Sequence, residues 1–173
     1  MNMLRKINCY SHYEFNDLCE ERGWNDDKNP PPSGIALISI CCTPECARYW
    51  LEEDDDHWFK EEHPNVLNLN FDDIPRDQIE WKGHIFYGLT KEDAKRCFDF
   101  IERVIPEVSE IWIHCRAGQS RSQGVVRYIL DCYSDQYELE TRNDNPCLTP
   151  NIDVVAKLKR CYVESILKED ISD

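Results

Sequence analysis

The stretch Ile113-His-Cys-Arg-Ala-Gly-Gln-Ser-Arg-Ser122 determines how the rest of the sequence is interpreted. It ends an apolar run, rich in residues that favour β-strands, at Cys115. The next residues include Ala117 and Gly118, whose small side chains allow the backbone to curl. The segment that follows, up to Tyr133, is apolar on nearly every side, which is typical of a helix packed against a sheet. The sequence therefore predicts a strand, a short loop and a helix in succession.

A loop between a strand end and a helix start is suited to binding a tetrahedral anion. Its backbone N–H groups can point into the curl, and the helix dipole adds positive potential there. Arg121 can present two parallel N–H donors to phosphate oxygens. The same field favours a thiolate at Cys115, because cations and helix N-termini lower cysteine pKa values. The residues expected to bind phosphate are Arg116, Ala117, Gly118, Gln119, Ser120 and Arg121.

Two neighbouring residues are candidates for supporting roles. Ser122 can donate a hydrogen bond to the sulfur when the sulfur becomes a leaving group, although capping of the helix explains this serine equally well. His114 lies one residue before Cys115 on the strand and so points to the opposite face. It is therefore not the base that activates the thiol. We expect it to brace the loop through hydrogen bonds, with a satisfied core histidine as an equal alternative.

His114, Cys115, five intervening residues, Arg121 and Ser122 together resemble the signature loop of protein tyrosine phosphatases. The sequence HCRAGQSRS is most similar to the dual-specificity and small bacterial branches of that family. The resemblance implies that the thiolate attacks phosphorus to form a phosphocysteine, from which water releases phosphate. It also implies a phosphorylated protein or a small phosphate monoester as substrate, a phosphate or sulfate ion as ligand of the loop, and neither a cofactor nor a metal.

The resemblance also implies a general acid on a separate loop, a few tens of residues before the cysteine. The sequence Phe71-Asp-Asp-Ile-Pro-Arg-Asp77 follows a predicted strand and supplies three candidates. Asp73 is our first choice, because its Asp-Ile pair is similar to that of the small bacterial members. Asp72 and Asp77 remain open alternatives. Both Asp72 and Asp73 also suit a turn before a proline.

The preferred substrate follows from what the signature loop lacks. Family members that act on inositol phospholipids tend to carry extra lysines in this loop, whereas here Arg116 is the only cation besides Arg121. The resemblance therefore favours phosphotyrosine in proteins, with phosphoserine and phosphothreonine as further substrates. Two other readings of the function stay open. One is a catalytically weak phosphatase-like module that binds phosphate, and the other is a different cysteine-loop enzyme such as a sulfurtransferase or arsenate reductase.

The rest of the sequence predicts strands that alternate with helices. Strands are expected at residues 7–10, 35–41, 66–71 and 111–115. Helices are expected from Ser11 or His12 to Arg22, from Thr90 to Pro106, and from Pro150, as first helical residue, through Ile166, with fraying over residues 170–173. This alternation predicts one three-layer α/β domain spanning residues 1–173, with a central, largely parallel or mixed sheet flanked by helices.

Composition narrows the choice of partner and compartment. With 20 basic and 34 acidic residues, the formal charge of −14 disfavours nucleic acid and anionic membranes as partners. No apolar run approaches the length of a membrane helix. The ten cysteines are not accompanied by a run that resembles a signal peptide, so we expect a reducing cytoplasm.

Two further segments stand out in composition, one rich in cysteine and one rich in acidic residues. The cysteines of Cys41-Cys-Thr-Pro-Glu-Cys46, with His57 and His63, do not have a spacing that favours zinc. Thr43 and Pro44 instead predict the start of a helix. The acidic run 52–63 interrupts the apolar pattern and is expected to form a surface excursion.

Overall fold

Seven strands carry the architecture in the computed structural model of the protein, which describes residues 6–51, 55–142 and 149–169. The strands are β1 (Lys6–Ser11), β2 (Ile35–Cys41), β3 (Val66–Asn70), β4 (Gln78–Trp81), β5 (His84–Tyr87), β6 (Glu110–Cys115) and β7 (Glu140–Arg142). Five of them form a sheet in the order β3-β2-β6-β1-β7, and every pairing in it is parallel. The other two form a separate antiparallel hairpin.

The helices begin where the sequence offers caps. They are α1 (His12–Glu21), α2 (Pro44–Cys46), α3 (Lys91–Val104), α4 (Arg121–Tyr133) and α5 (Ile152–Glu169), and a π-helical turn (Ala47–Leu51) extends α2. Ser11 and Glu14 form a capping box at α1, and Thr90 caps α3 by accepting from the Asp93 N–H. Capping by side chains satisfies N–H groups that the helix itself leaves unpaired.

Alternate strand residues feed two separate hydrophobic cores. On β6, Ile111 and Ile113 pack into the core that includes residues of α3, α4 and α5, whereas Trp112 packs with Phe15 of α1. This alternation follows from the pleat, which directs successive side chains to opposite faces. The described residues therefore form a single α/β domain with helices on both faces of a parallel sheet, and the predicted fold class is confirmed.

The hairpin and the last strand were not predicted. Strand β7 is exposed throughout, and β4 is largely exposed, so neither shows the apolar alternation that indicates a strand. The β4–β5 turn contains Lys82 and Gly83, both with positive φ, as two-residue hairpin turns require. Local turn geometry and pairing, and not burial, define these elements.

Two sequence predictions are corrected by packing. The run 52–63 is not simply a surface excursion, because Asp55 and Phe59 are buried; residues 52–54 lie outside the described part of the chain. Helix α5 starts at Ile152 and not at Pro150. Asn151 accepts hydrogen bonds from the N–H groups of the second and third helical residues, and so acts as the cap.

The parallel sheet brings several chain segments together at one edge. The carboxyl ends of β1, β2, β3 and β6 lie on the same side, since all four strands run in the same direction. Ligand sites of open α/β sheets form at this edge. The predicted fraying of residues 170–173 lies outside the described residues. Within the described ranges, no helix has the length and apolar character needed to cross a membrane.

Candidate active site

The loop between β6 and α4, residues 116–120, packs tightly against the end of β1. Gly118 has a φ of +68°, and a Cβ atom there would lie 2.8 Å from the carbonyl carbon and oxygen of Tyr10. The backbone N–H of His12 donates to the carbonyl of Arg116 at 3.1 Å. A glycine is required at this position both for its backbone conformation and for the space it leaves. Ala117 is exposed, and Gln119 is half-buried.

Cys115 ends β6 as a buried residue beside a hydroxyl group. Its Sγ lies 3.0 Å from the Oγ of Ser122. The thiol of Cys9 donates to the same Oγ at 3.2 Å, and burial raises the pKa of Cys9 to about 12, so that its proton stays in place. Either Cys115 or Ser122 can be the donor in their contact, but a Cys115 thiolate can only accept, so Ser122 donates to that form.

Ser122 does not cap the helix. The residue in the N-cap position of α4 is Ser120, whose side chain makes no capping hydrogen bond. Ser122 lies inside the first turn and its hydroxyl is fully buried between the two sulfur atoms. The capping alternative is therefore wrong, because the helix starts two residues earlier than that role requires.

Arg121 reaches from the start of α4 across the cleft to the end of β3. Its Nη1 donates to the carbonyl of Phe71 at 2.8 Å and lies 3.4 Å from the Sγ of Cys42. Its Nε is buried and has no hydrogen-bond partner among the described residues. Burial alone favours a lower pKa, but Cys42 and Cys115 outweigh it and raise the pKa of Arg121. The guanidinium is thus charged and has donor capacity available for an anion.

His114 lies on the opposite face of β6 from Cys115. Its Nε2 is 2.7 Å from the Oγ of Ser39 on β2, which is also 2.6 Å from the Nδ1 of His57. The ring of His114 stacks on Phe15 with centroids 4.1 Å apart. Burial holds the pKa of His114 well below its usual range, and the nearby His12 and His57 lower it further. His114 therefore stays neutral and joins β6 to β2 beneath the loop.

The three candidate acids lie in different environments. Asp72 is buried and accepts hydrogen bonds from the N–H and hydroxyl of Thr43 and from the N–H of Tyr87. Asp77 is 81% exposed and pairs with Lys157 on α5. Asp73 alone of the three contacts residues 116–120: its Oδ1 accepts from Ser120 Oγ at 2.7 Å and from Asn151 Nδ2 at 2.8 Å. The structure thus brings Asp73, and not Asp72 or Asp77, to the loop.

An open cleft of about 440 Å³ runs from these polar groups toward the β4–β5 hairpin. Arg121 and Asp73 line its polar part. The remaining wall is mostly apolar and aromatic, and includes Trp50 from the π-helical turn, Trp81 from β4 and Phe86 from β5. Trp50 and Trp81 are 60% and 52% exposed, which is unusual for such large apolar side chains.

Comparisons with known proteins add a distant structural match. The chain resembles a human phosphatase-like protein in fold. The matching crystal structure is that of human tyrosine phosphatase-like serine/threonine/tyrosine-interacting protein. The two sequences are 19% identical, the TM-score is 0.43, and the match covers 77% of this chain and 80% of that chain. No protein-family model and no curated protein sequence matches the chain. The likeness is too distant to argue for an activity.

Arg116 and Asp55 form a second polar contact below the cleft. The Nη2 of Arg116 donates to the hydroxyl of Tyr13 at 2.6 Å, and its Nη1 lies 3.7 Å from Asp55 Oδ1. The other oxygen of Asp55 accepts from the backbone N–H of Cys42 at 2.7 Å. Asp55 therefore links residues 116–120 to the end of β2, a role that its place in an acidic run concealed.

Two groups of described residues bring potential metal ligands within 4.8 Å of one another: His12, Cys41 and Asp55 in one, and Cys42, Cys46 and Asp72 in the other. In each group the carboxylate already accepts backbone hydrogen bonds, from Cys42 and from Thr43 with Tyr87. The second group also lies beside the Arg121 guanidinium, whose charge repels a cation.

Sequence reasoning missed four residues that shape the site. Ser39 had a detectable signal, because it is a polar residue inside the apolar strand β2. Asn151 also had one, as a good capping residue before an apolar periodic segment. Trp50 and Trp81 had none, since only the folded chain shows which of the five tryptophans face the cleft.

Proposed function

We propose that the protein is a cysteine-dependent phosphatase that hydrolyses phosphate monoesters, with phosphotyrosine in proteins as its preferred substrate and phosphoserine and phosphothreonine as further substrates. The observation that carries this proposal is that one loop joins Cys115 to Arg121 and contacts Asp73 through Ser120, while Arg121 and Asp73 line the cleft. A nucleophile, an anion clamp and an acid are the groups that a two-step phosphoryl transfer needs.

In the first step, the Cys115 thiolate attacks phosphorus and forms an S–P bond while the P–O bond to the leaving group breaks. Arg121 binds the equatorial phosphate oxygens, which carry the developing charge. Asp73 gives its proton to the departing oxygen, so that the product leaves as a neutral alcohol or phenol. The hydrogen bonds from Ser120 and Asn151 hold the Asp73 carboxyl at the cleft.

In the second step, water attacks the phosphocysteine and the S–P bond breaks. Asp73, now a carboxylate, accepts a proton from that water. The sulfur leaves as a thiolate, which can only accept a hydrogen bond, so the Ser122 hydroxyl 3.0 Å away donates one to it. Inorganic phosphate is released, and the acid and the nucleophile return to their starting states.

The wall of the cleft supports an aryl leaving group. A phenyl ring that enters beside Arg121 meets Trp50, Trp81 and Phe86, and aromatic contacts contribute about 0.5–1.5 kcal/mol each beyond burial. A short alkyl chain such as that of phosphoserine gains less from such a wall. An open cleft also gives room for the flanking peptide.

The test is hydrolysis of an aryl phosphate by wild type, Cys115→Ser and Arg121→Ala under reducing conditions. Cys97→Ser, a substitution at a buried cysteine on α3, serves as the control and should retain turnover. A phosphotyrosine peptide, a phosphoserine peptide and an inositol phospholipid are run in parallel. We expect loss of turnover in both site variants and preference for the phosphotyrosine peptide.

Two results contradict the proposal in distinguishable ways. A wild-type protein that binds phosphate but turns over none of the substrates is a phosphate-binding module. Turnover that persists in Cys115→Ser places the chemistry elsewhere. Acid quenching during turnover supplies an independent readout, because a phosphocysteine should appear on Cys115 and on no other cysteine.

A further inference from the structure

Two cysteines other than Cys115 line the cleft. Cys42 directly follows β2 and Cys46 ends α2, and both line the cleft together with Arg121. Their sulfur atoms lie within 4.8 Å of each other. The proposed phosphatase reaction uses neither of them.

Cys42 has the surroundings of a reactive thiol. Its Sγ lies 3.4 Å from Nη1 of Arg121, a guanidinium held in place by its bond to the Phe71 carbonyl. The hydrogen bond from Cys46 and the charge of Arg121 lower the pKa of Cys42, although burial acts in the opposite direction. A thiolate beside a fixed cation and open to a cleft is the form of cysteine that reacts with oxidants.

Cys46 has the complementary surroundings. Its hydrogen bond to Cys42 is the main cause of a raised pKa, followed by burial and by Asp72. Cys46 therefore keeps its proton and is only half-buried. By contrast, burial raises the pKa of both Cys9 and Cys19 to about 12, so those cysteines remain unreactive thiols.

We propose that Cys42 and Cys46 form a hydroperoxide-reactive dithiol, a modification site in the substrate cleft that acts independently of Cys115. The Cys42 thiolate attacks the peroxide O–O bond, becomes a sulfenic acid and releases water once the leaving oxygen is protonated. Cys46 then attacks the Cys42 sulfur, loses its proton and displaces a second water. The two thiols lose two electrons, and hydrogen peroxide is reduced to two waters.

The positions of the two residues suit this closure. The chain between them consists of the cap Thr43, the first helical residue Pro44 and Glu45, so only a short loop must close. The two sulfur atoms already lie within 4.8 Å of each other, so bond formation requires rotation of side chains and a small backbone adjustment. Oxidation removes the Cys42 thiol from beside Arg121 and leaves Cys115 as a free thiol.

The experiment treats the Cys115→Ser protein with limiting hydrogen peroxide, blocks remaining thiols and digests with trypsin. Peptide 29–48 contains Cys41, Cys42 and Cys46 and no internal lysine or arginine. We expect this peptide to become lighter by two hydrogen atoms. The same change should occur in Cys115→Ser with Cys41→Ser, and should be lost with Cys46→Ser, in which a sulfenic acid probe should label Cys42 instead.

A half-buried thiol remote from the cleft provides the matched control. Cys132 is half-buried and its pKa is raised, chiefly by burial, so Cys132→Ser should leave the disulfide in peptide 29–48 unchanged. A peptide that stays reduced, or a disulfide that is lost with Cys41→Ser, overturns the proposal. Because mass is measured in a protein without Cys115, the result does not depend on whether the protein is a phosphatase.

Discussion

The floor and the rim of the cleft are built in different ways. We call the loop segment 115–121 the floor, because its Arg116 and Arg121 line the cleft; it is contiguous in sequence, and Cys115, Gly118 and Arg121 in it are buried. The rim consists of Asp73, Trp50 and Trp81, which are largely exposed and come from three separate segments. The comparison shows that the proposed reaction centre depends on a short local sequence, whereas the wall proposed to select the substrate consists of segments that only the fold brings together.

The two regions also differ in how they are held. The floor is fixed by backbone fit, since Gly118 packs on Tyr10 and the His12 N–H binds the Arg116 carbonyl. The rim is held by side-chain hydrogen bonds, such as those from Ser120 and Asn151 to Asp73. Substitutions in the floor should therefore abolish binding and folding of the loop, whereas those in the rim should change rate or selectivity.

The largest effect is expected for Gly118→Ala. The added Cβ meets the Tyr10 backbone at 2.8 Å in a left-handed conformation, so residues 116–120 must shift and phosphate binding and turnover should both be lost. Gly83→Ala is the control, because Gly83 also has positive φ but a Cβ atom added there would meet nothing within 4 Å. It should cost only about 1–2 kcal/mol of backbone strain. Vanadate binding and thermal unfolding are measured for both variants. Equal losses in Gly118→Ala and Gly83→Ala would contradict the requirement for space at Gly118.

The second effect is on the acid. Asp73→Asn should lower kcat for an aryl phosphate about 100- to 10,000-fold, the usual contribution of general acid catalysis. Asp72→Asn should lower kcat far less but reduce the melting temperature, because Asp72 is buried and accepts bonds from Thr43 and Tyr87. Steady-state rates and thermal unfolding of both variants are the measurement. Near wild-type turnover in Asp73→Asn rules out this assignment of the acid.

The third effect is on selectivity. Trp81→Ala should reduce the ratio of kcat/KM for aryl over alkyl phosphates about 2- to 10-fold, corresponding to the loss of about 0.5–1.5 kcal/mol of aromatic contact. Tyr87→Ala is the control, since Tyr87 is an exposed aromatic residue on the same hairpin that does not line the cleft. Its ratio should remain unchanged. If kcat/KM for aryl and for alkyl phosphates falls to the same degree in Trp81→Ala, Trp81 has a structural role and does not select the substrate.

The smallest effect concerns pH and the residues beneath the floor. Burial lowers the pKa of His114, so between its folded value and its unfolded value near 6.5 the unfolded chain binds the extra proton. Stability is therefore lost as pH falls below about 7, by about 0.5–1 kcal/mol between pH 7.5 and 6.0. Denaturant unfolding at the two pH values measures this loss. His114→Gln should show a smaller pH dependence, and an unchanged one contradicts the role of His114.

Particular residues show how far prediction from the sequence extends. The elements β2, β3, β6, α3 and α4 were predictable because apolar periodicity and the cap Thr90 are local signals. The candidate acid could be reduced to three aspartates but not to one. Neighbouring carboxylates in one loop have the same local preferences, and only packing directs Asp72 inward to Thr43 and Asp73 toward Ser120.

The acidic run 52–63 shows why the rest could not be predicted. The density of charged residues in this run predicted that its side chains are exposed to solvent. Asp55 is nevertheless buried. It accepts a hydrogen bond from the Cys42 N–H and lies near Arg116, and both partners are far from it in sequence. Burial of a charged group depends on such partners. Likewise, no pattern in Cys41-Cys-Thr-Pro-Glu-Cys46 indicates that Cys42 lies beside Arg121.

The sequence by itself determined the framework of the proposed reaction centre: a strand, a loop and a helix that carry Cys115, Gly118 and Arg121. It could do so because neighbours in the chain remain neighbours in the fold. The tertiary structure alone decided that Asp73 contacts the loop, that Trp50 and Trp81 line the cleft and that Cys42 lies beside Arg121. These features arise where the carboxyl ends of parallel strands meet, and residues that meet there are separated by long stretches of chain.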